Sequence, residues 1–310
     1  RFSSRPLPKT GGEREVDVQI NRRNFLQATT AGAAAVTALG GPESLHSATV
    51  KRANDVLYLG PEKVKVTRLA IGLGTNAGNV QREMGLQGVA DYLKFAFDQG
   101  QFFWDTADAY KTHPHVKEAL KTVPREKVTI LTKTDVGRRG RSTLAADMRA
   151  DLDRFRQELG TDYIDIVLLH GMGMPNWPEE YKPAMDVLEE ARQKGIIRSH
   201  GASIHSFEAL HLAATAPWCQ IQLQGINQAG VRMDSTDTKA VVSMLRQSKR
   251  AGKGVMGMKI LAEGRLRDRI DETLKFALNL DCLDCFTMGA ANRAELADLI
   301  RRFPENSQPA

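Results

Sequence analysis

The stretch Gly100 to Tyr110, GQFFWDTADAY, places a carboxylate and a phenol five residues apart. Gly100 can end a helix, and the bulky apolar run Phe102-Phe103-Trp104 reads as a buried strand. Asp105 and Tyr110 then fall where such a strand gives way to a loop, a pairing suited to acid–base work. Three other strand-like runs also end in polar residues. One closes on Lys133, one on His170 and one on His200-Gly201-Ala202-Ser203.

Bringing these side chains together takes a scaffold that presents several strand ends on one side. A hairpin is predicted from Val56-Leu57-Tyr58-Leu59 and Val64-Lys65-Val66 around Gly60-Pro61. Buried strands are predicted over 69–75, 102–104, 128–133, 164–170, 197–203, 219–226, 254–259 and 285–289. Helices alternate with them over 88–98, 115–122, 142–159, 179–194, 207–214, 238–250, 266–280 and 293–303. The third helix carries Leu144, Met148, Leu152, Phe155 and Leu159 on one stripe and stops at Gly160, and Pro304 closes the last. This α/β alternation predicts a parallel (β/α)8 TIM barrel over 51–310, with the short hairpin at its start. Gly72-x-Gly74 lacks the third glycine of a dinucleotide turn, which speaks against an open doubly wound sheet. In such a barrel the chemistry sits at the C-terminal strand ends. Thr75, Asp105 with Tyr110, Lys133, His170, Ser203 and Lys259 all fall there.

From about Leu57 to Phe303 the chain resembles the aldo-keto reductase superfamily. The matching parts are Asp105-Thr106-Ala107-x-x-Tyr110, Lys133, Asp162-Tyr163-Ile164-Asp165 leading to Leu168-Leu169-His170, and Met258-Lys259-x-Leu261. The resemblance implies reduction of an aldehyde or ketone to an alcohol with an extended nicotinamide cofactor, NAD(P)H. It carries the family's tetrad onto Asp105, Tyr110, Lys133 and His170. Tyr110 is then the general acid, and a neighbouring Lys133 ammonium would lower the phenol's pKa. Asp105 would hold Lys133, and His170, as neutral imidazole, would donate a hydrogen bond to the substrate oxygen. The family also implies Ser203 and a glutamine of the sixth strand as partners of the nicotinamide amide. Gln220, Gln222 and Gln224 alternate along that strand, and Gln222 is taken. Ile204 stands where the family often has Asn, and Met258 where it often has an aromatic. Thr75, Lys259 and Leu261 are counted with the cofactor-binding set. The turn into the last helix, Gly289-Ala290-Ala291-Asn292-Arg293-Ala294-Glu295, lacks the basic residues that commonly hold a 2′-phosphate. Gly289, Asn292 and Glu295 are therefore read as cofactor-binding with NADH expected over NADPH, because a carboxylate accepts from a ribose hydroxyl and repels phosphate. Asn292 and Glu295 also make a capping-box pattern.

The 310 residues carry a formal charge of +6, half of it in the first forty. The dense basic cluster Arg138-Arg139-Gly140-Arg141 has no aromatic neighbours for base stacking, so nucleic acid is not expected as a partner. Cys282-x-x-Cys285 has neither a second pair nor a nearby histidine, so no metal is expected, although a disulfide is permitted in an exported chain. Arg22-Arg23-Asn24-Phe25-Leu26 resembles a twin-arginine export motif, and the mild apolar stretch Ala28 to Leu39 follows it. Residues 1–50 are thus expected to be a signal peptide and linker. The expected partner is the twin-arginine translocation machinery and the expected location the periplasm, free or held by an uncleaved signal. Met172 to Trp177 is expected to wall the substrate pocket. Two competing readings are a non-catalytic cofactor-binding barrel, acting as redox sensor or regulatory subunit, and a lyase or isomerase using Lys133 as a Schiff-base amine.

Overall fold

The computed structural model describes residues 50–137 and 143–307. The twin-arginine segment and the basic cluster at 138–141 lie outside them.

The described chain opens with an antiparallel hairpin, β1 (Val56–Leu59) and β2 (Val64–Thr67). Eight parallel strands follow: β3 (Leu69–Gly72), β4 (Phe103–Asp105), β5 (Thr129–Thr134), β6 (Ile164–Met172), β7 (Ile197–Ile204), β8 (Ile221–Gly225), β9 (Gly254–Met258) and β10 (Cys285–Met288). They pair in sequence order, and β10 pairs with β3 to close the ring. Strands in such a ring are covered on both faces, which is why they read as nearly unbroken apolar runs. Phe103, Leu131, Ile166, Leu168, Leu223 and Met256 fill the interior. Leu59, Val64 and Val66 of the hairpin join the same cluster. They stop the N-terminal end of the barrel. The fit there is close, since a Cβ on Gly254 would lie 2.7 Å from Leu59 Cγ.

Helices form the outer layer: α1 (Asn79–Glu83), α2 (Gly85–Asp98), α3 (His113–Ala119), α4 (Leu144–Leu159), α5 (Trp177–Glu180), α6 (Lys182–Gln193), α7 (Phe207–Thr215), α8 (Thr238–Arg250), α9 (Ile270–Asn279) and α10 (Arg293–Asn306). The stripe Leu144, Met148, Leu152, Phe155 and Leu159 of α4 is buried, and Gly160 ends the helix in the left-handed conformation. Among the described residues, side-chain caps start three helices: Ser206 for α7, Asp237 for α8 and Asn292 for α10.

The barrel and its hairpin follow the sequence pattern, and the departures have local causes. The single helix predicted over 179–194 is two helices that break at Tyr181, because Pro183 favours a fresh helix start. An extra helix, α1, precedes α2 in the first βα connection. The helix predicted from residue 266 begins as a 3-10 turn, Arg267–Arg269, before α9. Pro304 does not close α10, which continues to Asn306. So near the end the missing N–H costs one bond and the chain needs no further turns.

A close approach between β7 and β8 fixes one residue type. A Cβ built on Gly201 would lie 1.7 Å from the Ile221 carbonyl oxygen, a backbone atom of a paired strand. Gly201→Ala is expected to destabilise the barrel by about 3 kcal/mol, the upper end of ordinary overpacking costs. Urea unfolding of the two proteins reads this directly, and coincident curves would contradict it.

Candidate active site

Asp105 ends β4, where its backbone carbonyl accepts the Leu73 N–H at 2.9 Å. The chain then makes a 3-10 turn, Asp108–Tyr110, and Lys111 leaves it with φ 59. Two anchors hold this turn. Thr106 Oγ1 and Thr112 Oγ1 are hydrogen-bonded at 2.7 Å across its base. Arg154 of α4 grips the Asp108 carboxylate through two N–H groups, at 2.9 and 2.8 Å, and also bonds Asp151 and Glu158. Desolvation opposes ionisation of Asp108, but Arg154 outweighs it and the carboxyl stays below its ordinary range.

Glycines give the Tyr110 ring its place. A Cβ on Gly74 would come within 2.5 Å of two ring carbons, and one on Gly78 within 2.5 Å of the Tyr110 carbonyl oxygen. The Tyr110 ring therefore packs against the backbone at Gly74, and its own main chain against Gly78. Arg82 of α1 holds the same carbonyl.

Lys133 of β5 is 1% exposed. Its Nζ donates to Asp105 Oδ1 and, at 2.9 Å, to the Thr106 carbonyl, and lies 4.8 Å from the Tyr110 ring centroid. Burial pushes this ammonium toward neutrality, yet Asp105 and Tyr110 together raise its pKa, so it stays charged. The phenol behaves differently from the sequence expectation. Desolvation is the largest influence on Tyr110 and raises its pKa; Lys133 pulls the other way without prevailing, while Asp105 and Asp135 add to the rise. Tyr110 is thus a fully protonated phenol beside a fixed cation.

His170 lies in β6 at a register irregularity between Leu169 and Met172, where Gly171 takes φ 74. Its ring meets Tyr110 edge-on, with centroids 5.8 Å apart, and meets His205 edge-on as well, at 6.3 Å. Its Nδ1 lies 3.0 Å from Asp135 Oδ1. Asp135, His205 and the Arg154–Asp108 grip are not legible as site features in the sequence, where Gly74 reads only as part of a dinucleotide turn. Asp135 stands two residues past Lys133, and a reading that stops at the strand end misses it.

The structure brings Asp105, Tyr110, Lys133 and His170 together at the C-terminal mouth. Ser203 shares register with Leu223, so it faces the interior; it is wholly buried and its Oγ has no hydrogen-bond partner among the described residues. Met258 also faces the interior. Lys259 has φ 55 and places Nζ 3.7 Å from Asp234 Oδ1, and Leu261 packs against the outer core. Thr75 and Gly289 touch across β3 and β10: a Cβ on Gly289 would lie 2.1 Å from Thr75 Oγ1. Buried Gln81 ties this corner, accepting the Thr75 N–H at 3.1 Å and donating to Thr75 Oγ1 at 3.2 Å.

Two expected placements, Gln222 and Trp177, are corrected, and Glu295 adopts the capping-box arrangement its spacing also offered. Gln222 pairs in register with Ala202 and Val255 of the outer core and accepts from Ser248 Oγ of α8 at 2.9 Å, so it faces the helix layer. Trp177 is wholly buried, its indole N–H donating to the Ala209 carbonyl at 3.2 Å, so it packs under α7 and does not wall the mouth. Glu295 serves as a cap: its carboxylate accepts the Ala291 N–H at 2.8 Å, while Asn292 Oδ1 accepts the Glu295 N–H at 2.9 Å. Cys282 and Cys285 are buried free thiols, and burial first of all pushes both thiols up, Cys282 to about 11.

A sequence model of the aldo/keto reductase family matches residues 70–300. An aldo-keto reductase of Mycobacterium sp. (strain MCS) is 31% identical over 147 residues, 46% of this chain and 46% of that protein. The chain spans about half the length of the curated relatives it matches. Among solved structures, an aldo-keto reductase from Bacillus halodurans in its holo form has a TM-score of 0.65 at 17% identity, covering 80% of this chain and 90% of that one. The Bombyx mori aldo-keto reductase in complex with NADP has a TM-score of 0.60 at 17% identity, over 84% and 92% of the two chains. At these identities the structural likeness speaks for the fold, while the family match spans most of this sequence. The barrel that gathers Asp105, Tyr110, Lys133 and His170 at one mouth belongs to the aldo/keto reductase family.

Proposed function

We propose that the protein is an NAD(P)-dependent oxidoreductase that reduces an aldehyde or ketone to an alcohol, with Tyr110 as the proton donor. One observation carries this reading. A charged lysine, buried at the barrel mouth and clamped by Asp105, faces a protonated phenol ring at 4.8 Å. A reduced nicotinamide supplies a hydride when bound. The substrate oxygen then needs a proton, and the Tyr110 hydroxyl gives it. Lys133 stabilises the phenolate that remains, in a site where little water competes. A phenol raised by burial keeps its proton until that step.

The residues present fit such a cofactor. The unpartnered buried hydroxyl of Ser203 suits a carboxamide, which both donates and accepts. Met258 offers a polarisable surface for a ring, and Lys259 a cation for phosphate. Thr75, Gly289, Asn292 and the first turn of α10 would hold the remainder, while Leu261 packs against the outer core. We favour NADH. Glu295 puts a carboxylate at the start of α10, and Arg293 is directed to Asp91 at 3.5 Å. A 2′-phosphate would meet negative charge there and would have to win Arg293 from Asp91.

We further propose that the chain leaves the cytoplasm through the twin-arginine machinery and works in the periplasm, free or anchored by its signal. The support is the order Arg22-Arg23-Asn24-Phe25-Leu26 before an alanine-rich stretch. That route carries folded proteins, which suits an enzyme that must depart with a cytoplasmic cofactor in place.

Absorbance at the reduced-nicotinamide band, followed with a panel of aldehydes and ketones, tests the activity. Tyr110→Phe is expected to lower turnover by about 10²-fold or more while fluorescence-detected cofactor binding persists; a variant that matches the parent would remove Tyr110 from its role. In parallel titrations NADH is expected to bind more tightly than NADPH. Tighter NADPH binding, lost in Arg293→Ala, would reverse that assignment. Changing Arg22 and Arg23 to Lys is expected to leave the protein in the cytoplasm, and unchanged delivery in cell fractionation would refute the export route.

A further inference from the structure

The residue that follows β7, His205, carries chemistry and no structural duty. Three other histidines each spend a ring nitrogen on a carboxylate: His113 on Glu158 at 2.8 Å, His170 on Asp135 at 3.0 Å and His200 on Glu189 at 2.9 Å. The ring of His205 makes no hydrogen bond among the described residues, and the residue lies open at the barrel mouth. Its backbone, by contrast, is fixed. The His205 N–H donates to the Met172 carbonyl at 2.8 Å, and the next residue, Ser206, caps α7 by accepting the Ala209 N–H at 3.0 Å.

The strand beside it sets where this ring meets the site. The step from Leu169 to Met172 on β6 lies against the shorter step from Ala202 to Ile204 on β7, so β6 carries an extra residue there. Such a bulge turns side chains out of their regular alternation. His170 then meets Tyr110 at 5.8 Å and His205 at 6.3 Å, and the rings make one chain of contacts that starts at the phenol and ends at His205.

We propose that His205 is a specificity-determining residue, which selects neutral carbonyl compounds bearing a hydroxyl or a second carbonyl oxygen beside the reacting carbon. This rests on the carbonyl-reductase reading above. The reacting oxygen goes to the Tyr110 hydroxyl, and a substituent directed along the chain of rings meets His205. The ring is neutral there: desolvation first, then Lys259 and His170, push it down to about 4, with Glu263 opposing. A neutral imidazole offers one N–H donor and one acceptor nitrogen. A hydroxyl can use either, and a second carbonyl oxygen uses the N–H. An apolar chain in the same place would cover these nitrogens and leave them unpaired, which is how a polar site rejects an analogue lacking the hydroxyl. A carboxylate gains little, because the cations nearby are already matched with acids: Lys133 with Asp105, Lys259 with Asp234 and Arg232 with Glu263.

Two measurements test the proposal. The first is kcat/KM for lactaldehyde and for propanal, aldehydes of equal chain length, in the parent, His205→Phe and His205→Asn. The intrinsic reactivity of the two aldehydes is common to all three proteins, so the lactaldehyde-to-propanal ratio is the quantity compared. His205→Phe should lower that ratio by about tenfold, the order of one hydrogen bond. His205→Asn, which keeps a donor and an acceptor, should restore part of it. A ratio unchanged in His205→Phe, even with both rates reduced, would mean a structural role and would overturn the proposal. The second is 15N NMR of histidine-labelled protein, with and without NAD+, the His205 signals being assigned by their loss in His205→Phe. Propylene glycol should shift them more than propanol at the same concentration. Equal shifts, or none, would also overturn it. This readout needs no turnover: if the parent reduced neither aldehyde, the reductase reading would fall, and the NMR comparison would decide the role of His205 by itself.

Discussion

The ion pair between Lys133 and Asp105 is the constraint to which the rest of the site is adjusted. Both groups are almost wholly out of water. A charge moved into a protein interior loses several kcal/mol of hydration, and only close, well-directed partners offset this. Each partner is accounted for here: Asp105 and the Thr106 carbonyl for the ammonium, and the face of the Tyr110 ring above it. Removing one member would strand the other, at a cost of roughly 3–5 kcal/mol. The pair therefore obliges β4, β5 and the Asp108–Tyr110 turn to keep their relative positions. Structural rigidity and chemical competence share one source.

That turn is itself short and has few hydrogen bonds of its own, so its stability comes from outside. The Arg154 fork on Asp108, the hydroxyl pair at its base and the bare backbone at Gly74 and Gly78 supply it. A flexible loop could bring a phenol to the same place only part of the time. Here the ring packs where a side chain on Gly74 would stand, so that position has to stay bare. The charge balance around it also shows that proximity to a cation does not by itself yield a low pKa. Tyr110 loses more by leaving water than it gains from Lys133, and two nearby carboxylates add to the loss.

The sequence pattern made the barrel legible because period and punctuation agree: apolar runs too short for helices alternate with striped segments that stop at glycine. Asp105, Tyr110, Lys133 and His170 were legible for the same reason, since strand ends are where such runs stop. What pattern could not supply was direction. Gln222 sits at the right height on β8 but on the helix side, and alternation alone does not say which face is inside. Trp177 lies in the right segment, yet its indole N–H finds a carbonyl under α7. Glu295 fits a ribose hydroxyl and a backbone N–H equally well by chemistry, and only the distance to Ala291 separates them. Asp135 and the Arg154 grip join residues 35 and 46 positions from their partners, beyond any local spacing rule.

The hairpin that stoppers the barrel has a consequence for traffic. With Leu59, Val64 and Val66 sealing one end, the interior is a cup and not a conduit. Whatever lodges deepest, beside Ser203 and Met258, must arrive through the same opening as whatever rests above it near Tyr110 and His170. Two ligands bound at those depths would share one doorway, and the outer would stand in the way of the inner.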